Sequence, residues 1–445
     1  MDVNPDDSDE LRRIAALASP YGLVSRTATL PVADGDPSFA VRASGIGDPS
    51  KALPAMRGWT GDGDLGNLDG VGSALSAERA GLVSIAEALE RYSTCAWHEE
   101  DLVVAAEDAL GPEAVSPARW PRCSERELAR DDCGLVPYDP SVPIRWARAW
   151  SLTRRRAVLV PAVAVHLHMA PRTPSELFTR GITTGAAVHS DIRRAVLGGL
   201  SEVVERDALS LAWLQRLPLP ELTVDPGLLG PSERADHAAG TGRHLDVRLF
   251  DATTDFGVPV VYAVQLSPYE DRLAQIVCAA CDADPRKAVG KVHRELASVR
   301  VALRERVAAG PAARPDDGTV SVTGSAAYNA SAARRGAFRH LLEGERKVRR
   351  LEELPDLSLE ADPLAAAVSR LAECGAEVLV ADITTDEARQ VGMHAVKVMV
   401  PEAVPLSFIH GERYLATPRL YTAPAAMGYR SRGEESLNPE PQPAA

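Results

Sequence analysis

The sequence is poor in cysteine and contains no long hydrophobic run. Its 445 residues include six cysteines, and their spacing fits no disulfide framework, which favours a reducing compartment. No stretch approaches the roughly 18 consecutive apolar residues of a membrane-spanning helix. The opening MDVNPDDSDELRR is acidic, whereas a signal peptide begins with basic residues and continues with apolar ones. The sequence therefore predicts a cytoplasmic protein without a membrane segment.

An excess of positive charge is also missing. The 62 acidic residues outnumber the 49 basic residues and give a formal net charge of −13, which argues against general binding of nucleic acid or anionic membranes. The sequence has no Walker G-x-x-x-x-G-K-[ST] loop, no G-x-S-x-G motif and no well-placed G-x-G-x-x-G motif. These absences argue against P-loop, serine-hydrolase and dinucleotide-binding classes.

The segments that are present alternate between strand-like and amphipathic helical patterns, without an internal repeat. This alternation predicts an α/β or α+β fold of enzyme size. We expect an N-terminal segment over residues 1–59 with a partly disordered start, one main domain over residues 60–430, and an extended proline-rich tail over residues 431–445. The tail sequence NPEPQPAA must be extended because alternate residues are proline.

Three long helices can be placed from their end signals. Ser76 is a plausible N-cap for the first helix, the second covers roughly residues 191–216, and Asp284 with Pro285 begins the third. Between them, FTRGITTGAAVHSD is predicted to be a loop of small residues. His166 and His168 alternate as strand residues do.

Two of these helices carry the same motif, Glu-x-x-Glu-Arg, as EALER at residues 87–91 and EVVER at residues 202–206. A single copy is usually a solvent-facing ion pair. In the second helix, however, Glu202 and Glu205 share their face with small and apolar residues. Buried carboxylates need partners, and four carboxylates from two helices form an oxygen-rich set suited to Mg²⁺.

Four segments together resemble, in order and spacing, the main blocks of the YcaO family. They are SIAEALERYS, GITTGAAVHSDIRRAVLGGLSEVVERDA, CDADPRKAVGKVHRELASVR and DITTDEARQVGMHAVKVMVPEAVPLSF. The resemblance covers residues from about 60 to 443. It implies a YcaO-type fold of mixed sheets with long helices around a site for ATP and Mg²⁺, without a Walker loop.

The resemblance also implies roles for individual residues. Glu87, Glu90, Glu202 and Glu205 match metal-binding glutamates, and Arg91 and Arg206 stand at the arginine positions beside them. Arg300 matches an arginine of the third block and is expected to meet phosphate. Ser190 and Arg194 occupy further positions of the nucleotide site. The alternating prolines of the tail match a terminal motif that reaches the active site in azoline-forming members, and these are Pro439, Pro441 and Pro443.

Members of the family that modify peptides activate a backbone amide of a ribosomal precursor. A Cys, Ser or Thr side chain attacks the preceding carbonyl, ATP phosphorylates the amide oxygen, and expulsion of phosphate leaves an azoline. The resemblance thus implies a precursor peptide as substrate, a leader-peptide-binding or E1-like partner protein, a flavin-dependent azoline dehydrogenase and a homodimer. Thioamide or amidine formation and a non-catalytic scaffold are alternative functions.

Several positions depart from the family pattern. Val71, Val83 and Ser298 replace a lysine, a serine and a glutamine, and Ser190 replaces an asparagine. Arg194 stands where a metal-binding glutamate is usual, and a guanidinium does not ligate a cation. The departure predicts either a rearranged nucleotide site, with Arg194 contacting phosphate, or weak ATPase activity.

The remaining candidate is a Cys-x-x-Cys pair. Cys278 and Cys281 resemble half of a zinc site, but no second pair at suitable spacing follows. We predict two buried thiols at the end of a strand.

Overall fold

Three sheets and three long helices make up most of the chain. The computed structural model describes residues 11–57, 68–241, 244–308 and 310–444. Residues 1–10 of the predicted disordered start and residues 58–67 lie outside the described residues. In the part of the chain that is described, no helix is long and apolar enough to cross a membrane.

The helices and strands follow one another in a mixed order, which confirms the α+β prediction. The long helices cover Ala77–Cys95, Ile192–Leu214 and Pro285–Val307. Shorter helices cover Glu107–Leu110, Glu125–Leu128, Ala162–Val165, Pro231–Gly240, Thr323–Ala330, Arg339–Leu342, Pro363–Glu373, Asp386–Gln390 and Arg419–Ala426. The strands are β1 (Arg26–Leu30), β2 (Ala40–Gly45), β3 (Gly70–Ala74), β4 (Val103–Ala105), β5 (Ile144–Ser151), β6 (Arg156–Pro161), β7 (Ala186–His189), β8 (Glu221–Thr223), β9 (Asp246–Asp251), β10 (Val260–Leu266), β11 (Gln275–Cys281), β12 (Val348–Arg350), β13 (Leu379–Asp382) and β14 (His394–Met399).

The three sheets are almost entirely antiparallel. The first has the order β1-β2-β3, the second β11-β10-β9-β8-β12, and the third β4-β5-β13-β14-β7 with β6 paired to β5. Among the strands described, only the pairing of β8 with β12 is parallel. Strands β2 and β3 pair across the predicted boundary between residues 59 and 60, so the N-terminal segment and the main domain share a sheet.

The predicted helix starts are confirmed by their capping bonds. The Ser76 side chain accepts from the backbone N–H of Arg79, and Asp191 accepts from the N–H groups of Arg193 and Arg194. Asp284 caps the third helix, and Pro285 occupies its first turn. These side chains satisfy backbone donors that have no partner within the helix.

The second long helix lies between the two larger sheets. It packs in one hydrophobic cluster with β10 and β11 on one side and with Val396 and Val398 of β14 on the other. The alternate β14 residues Ala395 and Met399 pack with the first long helix. The third long helix covers the other face of β10 and β11. The fold therefore brings the three long helices together around the two sheets.

Glycines allow two of these helices to touch backbone directly. A Cβ at Gly70 would lie 2.1 Å from the Ser84 carbonyl oxygen, and a Cβ at Gly72 would lie 2.2 Å from the Ala80 carbonyl oxygen. Gly185 has φ +85°, and a Cβ at Gly199 of the second long helix would lie 2.5 Å from the Gly185 carbonyl oxygen. Only glycine permits such close approach, so β3 and the segment before β7 lie unusually near the helices beside them.

Ile14, in a 3₁₀ turn, is fully buried, so the N-terminal segment is packed from that turn onward. Two local expectations were wrong. The predicted small-residue loop contains β7, whose alanines and valine pair with β14. His166 and His168 do not lie in a strand, because the chain forms the short helix Ala162–Val165 immediately before them.

Two buried histidines should make the fold sensitive to acid. Burial lowers the pKa of His166 to about 4 and the pKa of His293 to about 3, whereas an unfolded histidine titrates near about 6.5. Each therefore binds a proton in the unfolded chain but not in the folded chain. Their contribution to stability is present above about pH 6.5 and is lost below it, by ~1.4 kcal/mol per pH unit for each group.

We expect His293→Gln to lower the slope of the unfolding free energy against pH by up to ~1.4 kcal/mol per pH unit, which is the contribution of one bound proton. The measurement is the free energy of unfolding in urea between pH 7 and pH 5. His394→Gln is the matched control because His394 is exposed at the start of β14, and it should leave the slope unchanged. Equal slopes for wild type and His293→Gln would contradict the assignment.

Candidate functional site

The first long helix presents Glu87 and Glu90 to the interior of the molecule. One Glu87 oxygen accepts from the Val71 backbone N–H at 2.7 Å, and the other accepts from the Arg91 guanidinium at 2.6 Å. Arg91 also donates to the Asp69 carbonyl oxygen at 2.6 Å. The glycines on either side of Val71 make the bond to Glu87 possible. The predicted ion pair between Glu87 and Arg91 is confirmed, but it lies against β3 and not in open solvent.

The second long helix repeats this arrangement. Glu202 accepts from the Gly185 N–H at 2.9 Å and lies 3.5 Å from the guanidinium of Arg206. Glu205 is buried and accepts from the Cys281 N–H at 3.0 Å. Backbone N–H groups thus fix one oxygen of each carboxylate, which orients the remaining oxygens.

The third long helix adds two residues that the sequence analysis did not place in the site. The Lys291 ammonium lies 3.1 Å from Glu205, and Glu295 follows one turn later on the same helix. Burial raises the pKa of Glu295; Lys291 opposes the rise, and Glu205 and Glu87 add to it. Burial lowers the pKa of Lys291, but Glu205 and Glu295 outweigh burial and raise it overall. The sequence offers one signal for this pair: Lys291 and Glu295 are four residues apart in GKVHRE and therefore lie on the same helix face.

Strand β14 adds a lysine. Lys397 is buried and donates to the carbonyl oxygens of Ile182 and Thr184, the latter at 2.7 Å. Burial lowers the pKa of Lys397 to about 8, although Glu202 and Glu90 favour its charge. A lysine within the apolar run HAVKVMV was a sequence signal for this role, because a buried charge needs partners.

Glu90 is a carboxylate of this group whose charged form is strongly disfavoured by its surroundings. Burial raises its pKa well above the ordinary value, and the charges of Glu202 and then Glu87 raise it further. No hydrogen bond to its carboxylate is found among the described residues. Like charges in a poorly solvated site are costly unless a cation joins them.

This donor set fits Mg²⁺ shared with phosphate. The carboxylates are hard oxygen ligands, which Mg²⁺ prefers, and Mg²⁺ is commonly completed by substrate phosphates. Within the described residues, no three of these carboxylates offer oxygens within 4.8 Å of one another. They are therefore too widely spread for three of them to enclose one ion, as expected of a site where a further ligand contributes oxygens.

The N-terminal end of the second long helix lies beside this group. The Arg194 backbone N–H donates to Asp191, and its side chain is exposed. Arg194 precedes Glu202 by eight residues, so it lies about 12 Å away along the helix axis and about 80° around it. Ser190 lies just before the helix, with its hydroxyl 3.4 Å from the His189 ring. Both residues therefore lie more than two helical turns before Glu202.

Arg300 is placed elsewhere. It is 1% exposed and contacts Asp36 at 2.7 Å, Gln265 at 3.2 Å and Glu270. Arg304 pairs with the same two carboxylates. The contacts of Arg300 give no support to the prediction that it meets phosphate. The two arginines also satisfy Asp36 and Glu270, which lie near His244.

The proline-rich tail is packed against the end of the second long helix. The Trp213 indole donates to the Glu440 carbonyl oxygen at 3.1 Å, and the Asn329 amide donates to that of Pro441 at 3.0 Å. Pro441 and Pro443 are buried, and Pro439 is exposed. The tail lies at a small cleft lined by Pro405 and Ser407 among others. The predicted extended form is interrupted by a 3₁₀ turn at Glu434–Ser436.

A mainly apolar cavity of about 100 Å³ lies between residues that contact the glutamates and residues that line the tail cleft. Arg206 and Lys397 line it at the glutamate end, and Pro405 and Ser407 line it at the tail end. Its walls come from β14 and from the segments after β14 and before β7. We call it the Lys397 cavity.

The prediction for the Cys-x-x-Cys pair is confirmed, because Cys278 and Cys281 are buried free thiols on β11. Ser84 bonds the Ser44 hydroxyl at 2.7 Å, so it faces β2 and not the glutamates.

The chain matches a protein-family model over residues 71–404, and that model is described as YcaO cyclodehydratase, ATP- and Mg²⁺-binding. It is also 30% identical over 373 residues to a protein of Methanothermobacter thermautotrophicus described as uncharacterized, with 80% of this chain and 86% of that protein covered.

Solved structures share the fold. A heterocyclase in complex with substrate and cofactor has a TM-score of 0.78 at 22% identity, with 98% of this chain and 57% of that chain covered. YcaO from Methanopyrus kandleri, bound with AMPPCP and Mg²⁺, has a TM-score of 0.61 at 20% identity, with 89% and 91% covered. The E. coli microcin synthetase McbBCD complex with pro-MccB17 bound has a TM-score of 0.53 at 16% identity, with 85% and 88% covered.

Proposed function

The chain belongs to the YcaO family, and we propose that it uses ATP to activate backbone amides of a ribosomal precursor peptide, so that Cys, Ser or Thr side chains close to azolines. The observation that carries the proposal is the group of glutamates from three long helices beside an apolar cavity. The amide oxygen is a poor leaving group, and phosphorylation makes it a good one.

In this proposal Glu87, Glu90, Glu202 and Glu205 hold Mg²⁺, with Glu295 as a further acidic partner. When bound there, Mg²⁺ supplies positive charge against the transferring phosphoryl group. Backbone N–H groups fix Glu87, Glu202 and Glu205 before ATP arrives, which reduces the cost of ordering these ligands during the reaction.

The cations of the site have separate tasks. Arg91 is held by Glu87 and the Asp69 carbonyl oxygen and therefore orients a ligand of Mg²⁺. Lys291 neutralises Glu205. Lys397 is turned toward backbone carbonyls and toward Glu90 and Glu202, so it limits their repulsion. Arg206 is free to meet the substrate, because its Nε is buried and has no hydrogen-bond partner among the described residues.

We propose that other proteins take part. The chain spans 57% of the length of the matched heterocyclase, and the microcin synthetase neighbour is a complex with a bound precursor. The complex of the microcin synthetase supports a leader-peptide-binding or E1-like partner that delivers the peptide. A flavin-dependent azoline dehydrogenase and a homodimer remain part of the proposal.

The test is a reconstituted reaction. The chain, ATP, Mg²⁺, the partner and a Cys/Ser/Thr-rich peptide encoded beside this gene are incubated and the peptide is weighed by mass spectrometry. We expect the loss of one water per modified residue, together with phosphate release that depends on the peptide. A mass change that replaces oxygen with sulfur would favour thioamide formation instead. Unchanged yield with Glu202→Gln and Glu205→Gln together would favour a non-catalytic scaffold.

Arg194 provides a more specific prediction. If it contacts phosphate in place of a metal-bound glutamate, Arg194→Ala should weaken binding of the ATP analogue AMPPCP by about 10-fold, since a charged hydrogen bond contributes roughly 1.5–3 kcal/mol. Isothermal calorimetry with Mg²⁺ measures this. Arg193→Ala is the control, because Arg193 pairs with Asp362 on the neighbouring surface. Equal affinities for wild type and both variants would exclude the phosphate contact.

A further inference from the structure

The Lys397 cavity reaches two side chains that lie close to the glutamates. Lys397 contributes to the cavity wall and is close to Glu90 and Glu202. Arg206 also lines the cavity and lies 3.5 Å from Glu202. Any group held at the glutamates is therefore adjacent to the cavity mouth. The unpartnered Nε of Arg206 is the kind of buried donor that calls for a ligand acceptor.

The interior of the cavity is unsuited to charge. Its walls include Val203, Val398, Val400, Ala403 and Phe408. The acidic group that reaches it, Glu412, is 1% exposed. Arg180 donates twice to Glu412, at 2.7 and 2.9 Å, and the Gly134 N–H donates at 2.7 Å. Arg206 and Lys397 lie at the glutamate end, where Glu202 and backbone carbonyls already pair them. Away from that end, an added charged side chain would be buried without a partner at a cost of several kcal/mol, so the cavity selects an uncharged, apolar occupant.

The size of the cavity limits the occupant further. An apolar cavity of about 150 Å³ holds one benzene molecule. The Lys397 cavity, at about 100 Å³, therefore matches a branched aliphatic side chain such as that of valine or leucine and is too small for tryptophan.

The geometry of cyclisation shows which substrate residue can enter. The nucleophilic Cys, Ser or Thr side chain must turn back to attack the carbonyl carbon before it. It is therefore occupied and cannot extend into a neighbouring cavity. The residue that provides the attacked carbonyl carries its side chain on the Cα that is bonded to that carbon. Its side chain is free to project sideways from the reacting amide.

We propose that the Lys397 cavity binds the side chain of the substrate residue immediately before the cyclised Cys, Ser or Thr, and that it selects aliphatic side chains there. This inference rests on the proposed function, since it assumes a peptide amide at the glutamates. The cavity then sets which Cys, Ser or Thr residues of a precursor are modified.

The experiment measures binding, so that it does not depend on turnover. 2-Fluoropropane, which is smaller than benzene and branched like a valine side chain, serves as the probe, and its ¹⁹F NMR signal should broaden with wild-type chain in the presence of Mg²⁺ and AMPPCP. The peptide acetyl-Gly-Leu-Cys-Gly-amide should displace it, and the peptide with Asp in place of Leu should not. A one-methylene difference in an apolar pocket changes selectivity by about 10-fold or more, so the two peptides should differ by at least that factor.

Two cavity variants and one control variant test whether the broadening comes from binding in the Lys397 cavity. Ala403→Leu fills the cavity and should abolish the broadening. Val400→Ala enlarges the cavity and should extend displacement to the peptide with Trp before Cys, which keeps the test decisive if Ala403→Leu does not fold. Ala149→Leu, on β5 and outside the cavity lining, should behave as wild type.

The possible outcomes separate this inference from the proposed function. Absence of broadening in wild type overturns the inference, as does equal displacement by the Leu and Asp peptides. Absence of dehydration in the reconstituted reaction overturns the proposed function, and it leaves these NMR results as they are.

Discussion

Glu90→Gln should abolish Mg²⁺-dependent nucleotide binding and make the unliganded chain slightly more stable. Binding should be lost because Glu90 is a proposed ligand of Mg²⁺, and loss of a residue that merely supports a metal ligand already costs about 10–100-fold. We therefore expect the affinity for AMPPCP with Mg²⁺ to fall by at least about 100-fold. Calorimetry measures this change.

Stability should change in the opposite direction, because Glu90 lies among like charges. The neighbouring carboxylates Glu202 and Glu87 raise its pKa, so removing its charge relieves their repulsion. In the absence of Mg²⁺ we expect Tm to rise by roughly 1–3 °C, the response to a stabilisation of about 1 kcal/mol in a large domain. Wild type should be the more stable protein once Mg²⁺ and AMPPCP are added.

The matched control is Glu78→Gln. Glu78 lies in the first turn of the same helix and its side chain is 69% exposed beside Arg12. It should change neither nucleotide affinity nor Tm. If Glu90→Gln bound AMPPCP as well as wild type does, the glutamates would be a structural cluster and the metal site would have to lie elsewhere.

Removal of residues 438–445 should lower both stability and activity. The deletion eliminates the bond from the Asn438 N–H to the Leu214 carbonyl oxygen at 2.8 Å and the bond from Arg413 to the Asn438 carbonyl oxygen at 2.8 Å. It also leaves the indole of Trp213 without its acceptor. Each buried donor without a partner costs about 1–3 kcal/mol, so Tm should fall by at least roughly 5 °C. Turnover of a precursor peptide should be lost.

Replacing prolines of the tail distinguishes a structural role of these residues from a catalytic one. Pro441→Ala keeps the carbonyl that Asn329 binds, and it should leave Tm within a few degrees of wild type. Because we predict a catalytic role for Pro439, Pro441 and Pro443, the triple alanine variant should lose turnover much more than it loses stability. Turnover that follows Tm across these variants would make the tail purely structural.

The parts of the site that follow from local sequence could be predicted. Ser76, Asp191 and Asp284 mark the helix starts through capping chemistry, which depends on residues a few positions apart. The doubled Glu-x-x-Glu-Arg motif places its carboxylates on one face of each helix for the same reason. Structural features that are set by such short-range patterns are changed little by tertiary contacts.

The parts of the site that depend on contacts between distant residues could not be predicted from the sequence. Strand β7 was missed because its Ala-Ala-Val-His sequence is short and made of small residues, and only pairing with β14 makes it a strand. Lys397 joins the glutamates because the sheet turns it toward the first helix. Arg300 and Glu295 share one helix, yet their separation of five residues turns them to different sides. No local rule states which side faces the site.

The network of Asp36, Glu270, Arg300 and Arg304 has a further consequence for how much of the chain forms a folding unit. Asp36 lies before β2, outside the family-matched residues 71–404, yet it neutralises two arginines of the third long helix. A chain cut to residues 71–404 would leave these guanidinium groups unbalanced and β3 without its neighbour β2. The region that the family model matches is therefore not an independent folding unit, because part of its stability comes from contacts with segments that the family model does not match.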